Sequence, residues 1–163
     1  MKRLIAILII SVIGSTAAQD NHSTGDYWMD LGAVYGAIQS AKFMGDICTE
    51  SFPNQSTANT NAYTEWRSKY LPFIQEMELT FSTSMWKESG GDPQKYYNEI
   101  TKFRDGMDKY RASMKSQMAA DGPKTFEGQC SVYPIYLATD RMNLEHYYAE
   151  QLEVIRKGPS KSP

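Results

Sequence analysis

Residues 92–120 read DPQKYYNEITKFRDGMDKYRASMKSQMAA, and the spacing of their apolar members decides the class of the fold. Tyr96, Ile100, Phe103, Met107, Tyr110, Met114 and Met118 recur at steps of three and four, which aligns them on one side of an α-helix. Lys95, Lys102, Asp105, Asp108, Lys109 and Lys115 occupy the other side, as a solvated face requires. The start is equally explicit. Gly90 and Gly91 suit the end of a preceding helix, Asp92 is a capping residue, and Pro93 fits the first helical position. A helix is predicted over 93–120.

Working outward, the same periodicity marks three more segments. Residues 62–88 carry the stripe Tyr63, Trp66, Tyr70, Phe73, Ile74, Met77, Phe81 and Met85. Pro72 removes one hydrogen-bond donor from this segment, so an interruption is predicted around Tyr70 to Leu71. Residues 26–50 align Tyr27, Leu31, Val34, Ile38, Ala41, Gly45 and Cys48. Gly32, Gly36 and Ser40 form a small-residue row beside that stripe, and Ala33, Ala37 and Ala41 form the next, which predicts close approach of a neighbouring helix. Pro53 ends this segment, and the polar run SFPNQSTANTN (51–61) reads as a loop. After a second loop, ADGPKTFEGQ (120–129), a fourth helix is predicted from Ser131–Pro134 to about Arg156. No strand pattern or internal repeat is found. Four helices of about 25 residues, each about 38 Å long, joined by polar loops, predict an all-α fold, an antiparallel four-helix bundle over 26–157.

The N-terminus MKRLIAILIISVIGSTAAQD couples Lys2 and Arg3 to an apolar run from Leu4 to Ile13 and then to small residues. That order is a secretory signal peptide, 1–18, cleaved after Ala18. The run is too short to span a bilayer, which takes about 20 apolar residues. Removing 18 residues from 163 leaves 145, enough for one core, and moves the formal charge from −2 to −4. A mildly acidic chain without a basic block excludes nucleic acid as a natural partner. Residues 19–25 are expected to be flexible and 158–163 disordered. The expected compartment is the periplasm or the exterior, with no stable membrane insertion after cleavage.

Cys48 and Cys130 are the only cysteines, and export permits them to pair. In an up-down-up-down bundle the end of helix 1 and the start of helix 4 share one end, where both cysteines fall. Closing a loop of 82 residues stabilises a fold by about 4.5 kcal/mol in the chain-entropy model. A redox site would call for C-x-x-C, and a metal site for nearby histidines, of which only His22 and His146 exist. A structural disulfide is therefore predicted.

Enzyme motifs are lacking: no phosphate loop, no H-E-x-x-H and no G-x-S-x-G. An exported bundle with His146 raises b-type haem, paired with Met29, but Met29 falls opposite the stripe of helix 1. The ferritin-type Glu-x-x-His is missing, since Asn143 precedes His146 by three. No cofactor or metal is expected. On helix 4, Arg141 and Glu145 fall near the centre of an apolar arc (Ile135, Leu137, Ala138, Met142, Tyr148, Ala149, Leu152, Ile155) and predict a buried ion pair that fixes geometry. A second stripe on that helix holds Tyr136, Tyr147 and Val154, while helix 2 directs Leu79 and Trp86 away from its core face. Tyr and Trp are favoured at interfaces. These five residues are the expected surface for a protein partner, and the expected function is non-enzymatic protein binding, inhibitor-like or immunity-like. In layout, with a leader, one domain and one disulfide, the chain is similar to the small exported helical inhibitor and immunity proteins of bacteria. The other readings are a small-ligand or haem carrier using the bundle interior, and a hydrolase with an unrecognised site. Asn21 and Asn54 each open an N-x-S sequence, the pattern of N-glycosylation.

Overall fold

A computed structural model of the chain describes residues 22–159. The expected leader, Asn21 and residues 160–163 lie outside them. Helix α1 (Tyr27–Ser51) begins where Asp26 accepts the backbone N–H groups of Trp28 and Met29, and it stops at Phe52, the residue before Pro53. Helix α4 (Pro93–Ala120) occupies the predicted span, capped by the Asp92 carboxylate on the N–H groups of Gln94 and Lys95. Gly90 and Gly91 precede it at φ 68° and 74°, left-handed positions that glycine adopts without strain. The interruption at Pro72 is also present: α2 (Ser56–Lys69) ends at Tyr70 and α3 (Leu71–Glu88) starts at once.

Two expected element boundaries are corrected. The run 51–61 is not a loop. Pro53–Gln55 forms one 3-10 turn, with Pro53 presetting its first position, and α2 follows directly. The fourth helix is not continuous. In its place stand α5 (Pro123–Ser131), α6 (Tyr133–Leu137), a 3-10 turn at Asp140–Met142, α7 (Leu144–Tyr147) and α8 (Ala149–Lys157). Pro134 cannot donate, and the Ser131 and Thr139 hydroxyls donate to the carbonyls of Gly128 and Tyr136, both at 2.7 Å, where α5 and α6 end. The segmentation has a packing reason. Nine residues separate Tyr133 from Met142, so a straight helix would put them on opposite sides. Both are buried in the same core.

Helix is the one kind of regular structure among the described residues, with no strand among them. Helix α1 is the spine and packs against α2, α3, α4, α5, α6 and α8. Leu31, Val34, Ile38 and Ala41 meet Trp66, Tyr70, Phe73, Ile74 and Met77 from α2 and α3, and Tyr133, Leu137, Leu144, Leu152 and Ile155 from the segmented leg. A smaller cluster of Ile47, Cys48, Met118, Phe126 and Cys130 fills the other end. Most of the α4 stripe is only half-buried, so the most regular helix lies at the edge of the molecule. Residues 22–25, expected to be flexible, are tied down. His22 Nδ1 and Ser23 N bond the Glu150 carboxylate, and Ser23 and Thr24 donate to buried Asp30.

The close helix approach is at Gly45, not along Gly32–Gly36–Ser40. A Cβ at Gly32 or Gly36 would meet nothing within 4 Å, whereas one at Gly45 would sit 2.7 Å from Tyr133 Oη. Tyr133 has no room to withdraw, being fully buried with its hydroxyl donating to Ala41 O at 2.8 Å. Gly32→Ala is therefore expected to stabilise by up to about 1 kcal/mol through helix propensity. Gly45→Ala, the same chemical change, is expected to destabilise by about 1–3 kcal/mol through overpacking. Urea denaturation of the two variants checks the opposite signs. Adding Tyr133→Phe to Gly45→Ala should recover part of the loss, because the clashing oxygen is gone.

Candidate functional site

The disulfide joins Cys48 on α1 to Cys130 near the end of α5, with Cα atoms 5.2 Å apart. Both residues are fully buried, and the adjoining rings of Phe52 and Phe126 meet edge to face at 4.9 Å. This pair is a staple, closed to exchange chemistry by burial.

Of the five residues expected to form a partner surface, two are well exposed: Leu79 at 68% and Trp86 at 42%. They lie seven positions apart on the outward face of α3. The Trp86 ring meets Tyr96 of α4 edge to face at 5.5 Å, and both rings line a shallow hollow of about 270 Å³ with Ser82 and Thr83. Tyr97, 63% exposed, follows on α4. The other three are half-buried. Tyr136 packs on the main core, and burial raises its pKa above the ordinary tyrosine value. Tyr147 meets Tyr148 edge to face at 5.2 Å, and burial pushes the Tyr148 hydroxyl up to about 12. Val154 lies in α8. Breaking the fourth helix rotated its stripes, turning Tyr136 inward and Ile135 out to 68% exposure.

The same break undoes the expected buried ion pair. Arg141 and Glu145 stand on different short elements and both are exposed. Arg141 Nε instead donates to the Tyr147 hydroxyl at 3.5 Å, a bond that raises the guanidinium pKa. His146 is exposed on α7, and Met29 is 46% exposed on α1, so neither presents a haem ligand to the interior. Among the described residues, no three of His, Cys, Asp and Glu gather closely enough to hold a metal ion, and no helix is long and apolar enough to cross a membrane. Asn54 is exposed in the 3-10 turn.

One site escaped the sequence. Between α1 and α2 lies a hollow of about 200 Å³, lined by Gly45, Asp46, Thr49 and Glu50 on one side and by Asn59, Thr60 and Tyr63 on the other. Asp46 pairs with Lys42 at 2.5 Å, and Glu50 with Arg111 and, at 4.0 Å, Lys115. Tyr63 stacks on Trp66 with centroids 6.0 Å apart, and burial raises its pKa, which keeps the hydroxyl protonated. Asn59 is only 1% exposed, and its Nδ2 has no hydrogen-bond partner among the described residues. The signal was hidden because 51–61 reads as a loop, which takes Asn59 and Thr60 off any helix face. No protein family, curated protein or solved structure matches the chain.

Proposed function

We propose that this is an exported, non-enzymatic binding module that takes a protein partner on the outward face of α3, beside the α3–α4 turn. The observation that carries this reading is the exposure of Leu79 and Trp86 on one helix face, next to the Trp86–Tyr96 hollow. Large apolar residues grouped on a surface mark interaction sites more often than scattered ones do, and tryptophan is the residue most enriched at binding hot spots. The disulfide supports an oxidising compartment, periplasmic or extracellular, and through it the leader reading of 1–18. In the same reading the architecture is a four-legged antiparallel bundle: α1, then α2 with α3, then α4, then the α5–α8 series as a broken fourth leg. The stapled core makes the scaffold rigid, which suits an inhibitor or immunity-like role, where little ordering remains to be done on binding.

The test is affinity capture from the extracytoplasmic fraction of the native host. A single partner retained by the wild-type protein should be lost by Leu79→Asp/Trp86→Asp, with each substitution weakening binding about thirtyfold, the effect of a 2 kcal/mol hot spot. Equal retention by the folded double variant would refute the α3 surface.

A further inference from the structure

We infer that the hollow between α1 and α2 binds a neutral polyhydroxyl ligand the size of one sugar ring. Its charges decide the class. Each carboxylate is already answered from within the protein, Asp46 by Lys42 and Glu50 by Arg111 and Lys115. An organic cation would have to displace those partners, and an anion would meet two carboxylates one helical turn apart. A neutral ligand faces neither cost.

Its polar atoms decide the rest. A carboxylate has about four acceptor positions, so Asp46 and Glu50 keep acceptors beyond their ion pairs. The hydroxyls of Thr49, Thr60 and Tyr63 both donate and accept. The Asn59 amide lies in the wall with its Nδ2 unpartnered and closed to solvent, so a ligand oxygen that shifts the wall enough to reach it would gain a donor the fold leaves unused. Donors and acceptors interleaved at this spacing complement adjacent hydroxyl groups, each of which also donates and accepts. The Tyr63 ring, steadied by Trp66, supplies an apolar wall for the C–H face of a sugar. The volume of about 200 Å³ equals the liquid volume of about seven waters, room for one six-membered ring, and the open side leaves any further rings outside. A free monosaccharide and the terminal residue of a glycan present the same chemistry.

The experiment is a nuclear magnetic resonance titration of the full chain with D-glucose, N-acetyl-D-glucosamine, maltotriose, chitotriose and, as the charged control, ethanolammonium chloride. The expected result is a saturable shift of the Asn59 side-chain amide together with Thr49 and Thr60, produced by a sugar and not by the ammonium ion. A monosaccharide response identifies a free sugar, and a response to trisaccharides alone identifies a glycan end. Removal of buried Asn59 threatens the fold, so exposed Thr60 is the substitution of choice. Thr60→Val should weaken binding roughly three- to tenfold, the loss of one hydrogen bond. Leu79→Asp/Trp86→Asp should leave the titration unchanged, which separates this site from the α3 surface. No saturable shift with any sugar up to about 50 mM, well above millimolar affinity, or saturation by ethanolammonium alone, would overturn the proposal.

Discussion

Replacing both cysteines, as Cys48→Ala/Cys130→Ala, will lower the free energy of unfolding by about 4 kcal/mol, the largest effect expected of any substitution away from the main core. The bridge closes 82 residues, for which the loss of denatured-state entropy corresponds to about 4.5 kcal/mol. Alanine leaves no unpaired polar atom among Ile47, Met118 and Phe126, so the loss reports the cross-link and a small packing term. Urea denaturation measures it. The slope of free energy against urea should rise as well, because the uncrosslinked denatured chain exposes more surface. A loss under about 1 kcal/mol would show that the denatured chain keeps enough structure for the cross-link to restrict it little further. Reductant added to the native wild-type protein should act slowly, since both sulfurs are fully buried.

Trp66→Ala will cost about 3–5 kcal/mol, as truncation of a buried aromatic does. Trp66 is 4% exposed, flanked by Tyr63 and Tyr70, and its indole N–H donates to Met142 O at 2.9 Å. That bond ties α2 to the 3-10 turn between α6 and α7. Trp66→Phe keeps most of the volume and removes the donor, leaving a buried carbonyl unanswered at about 1–3 kcal/mol. The two variants should also differ in kind. In Trp66→Phe, hydrogen exchange should accelerate around residues 140–148 before the rest of the protein responds, whereas Trp66→Ala should lower protection globally. Both variants lose the hydrogen bond and only Trp66→Ala loses the volume, so a negligible loss in Trp66→Phe would show that ring volume alone, and not the hydrogen bond, holds this turn. Total stabilities of small domains run about 5–15 kcal/mol. Trp66→Ala combined with loss of the disulfide is therefore expected to yield a largely unfolded chain.

The parts of the fold legible in the sequence are those set by local rules. Asp92 and Pro93 start α4, Pro53 stops α1, and Pro72 parts α2 from α3, each through the hydrogen-bonding capacity of one residue. The Cys48–Cys130 pairing followed from chain count and helix order. Residues 131–157 were opaque for the opposite reason. Their apolar residues fit a single helical wheel well enough, yet Tyr133 and Met142 reach the same core only if the wheel is reset between them. That choice is made by α1 and α2, far away in sequence. The error then spread to function. Tyr136, Tyr147, Arg141 and Glu145 were placed by one continuous wheel, and all four moved when it broke. Leu79 and Trp86, on the unbroken α3, kept their predicted exposure. The α1–α2 hollow was hidden because composition marks 51–61 as loop, while the fold makes it a 3-10 turn and the start of α2.

The central position of α1 bears on the order in which the molecule can assemble. Synthesis delivers the chain from its N-terminus, so the spine appears before the helices that cover it and waits for them. Leu31 and Val34 are sealed only when Leu144, Leu152 and Ile155 arrive. Cys48 waits a shorter time, 82 residues, for its partner. The nascent chain therefore presents an apolar helix with no complete shelter until α8 emerges. A chaperone that holds such a chain open would guard this one surface, and a chain cut short before α8 would leave it bare.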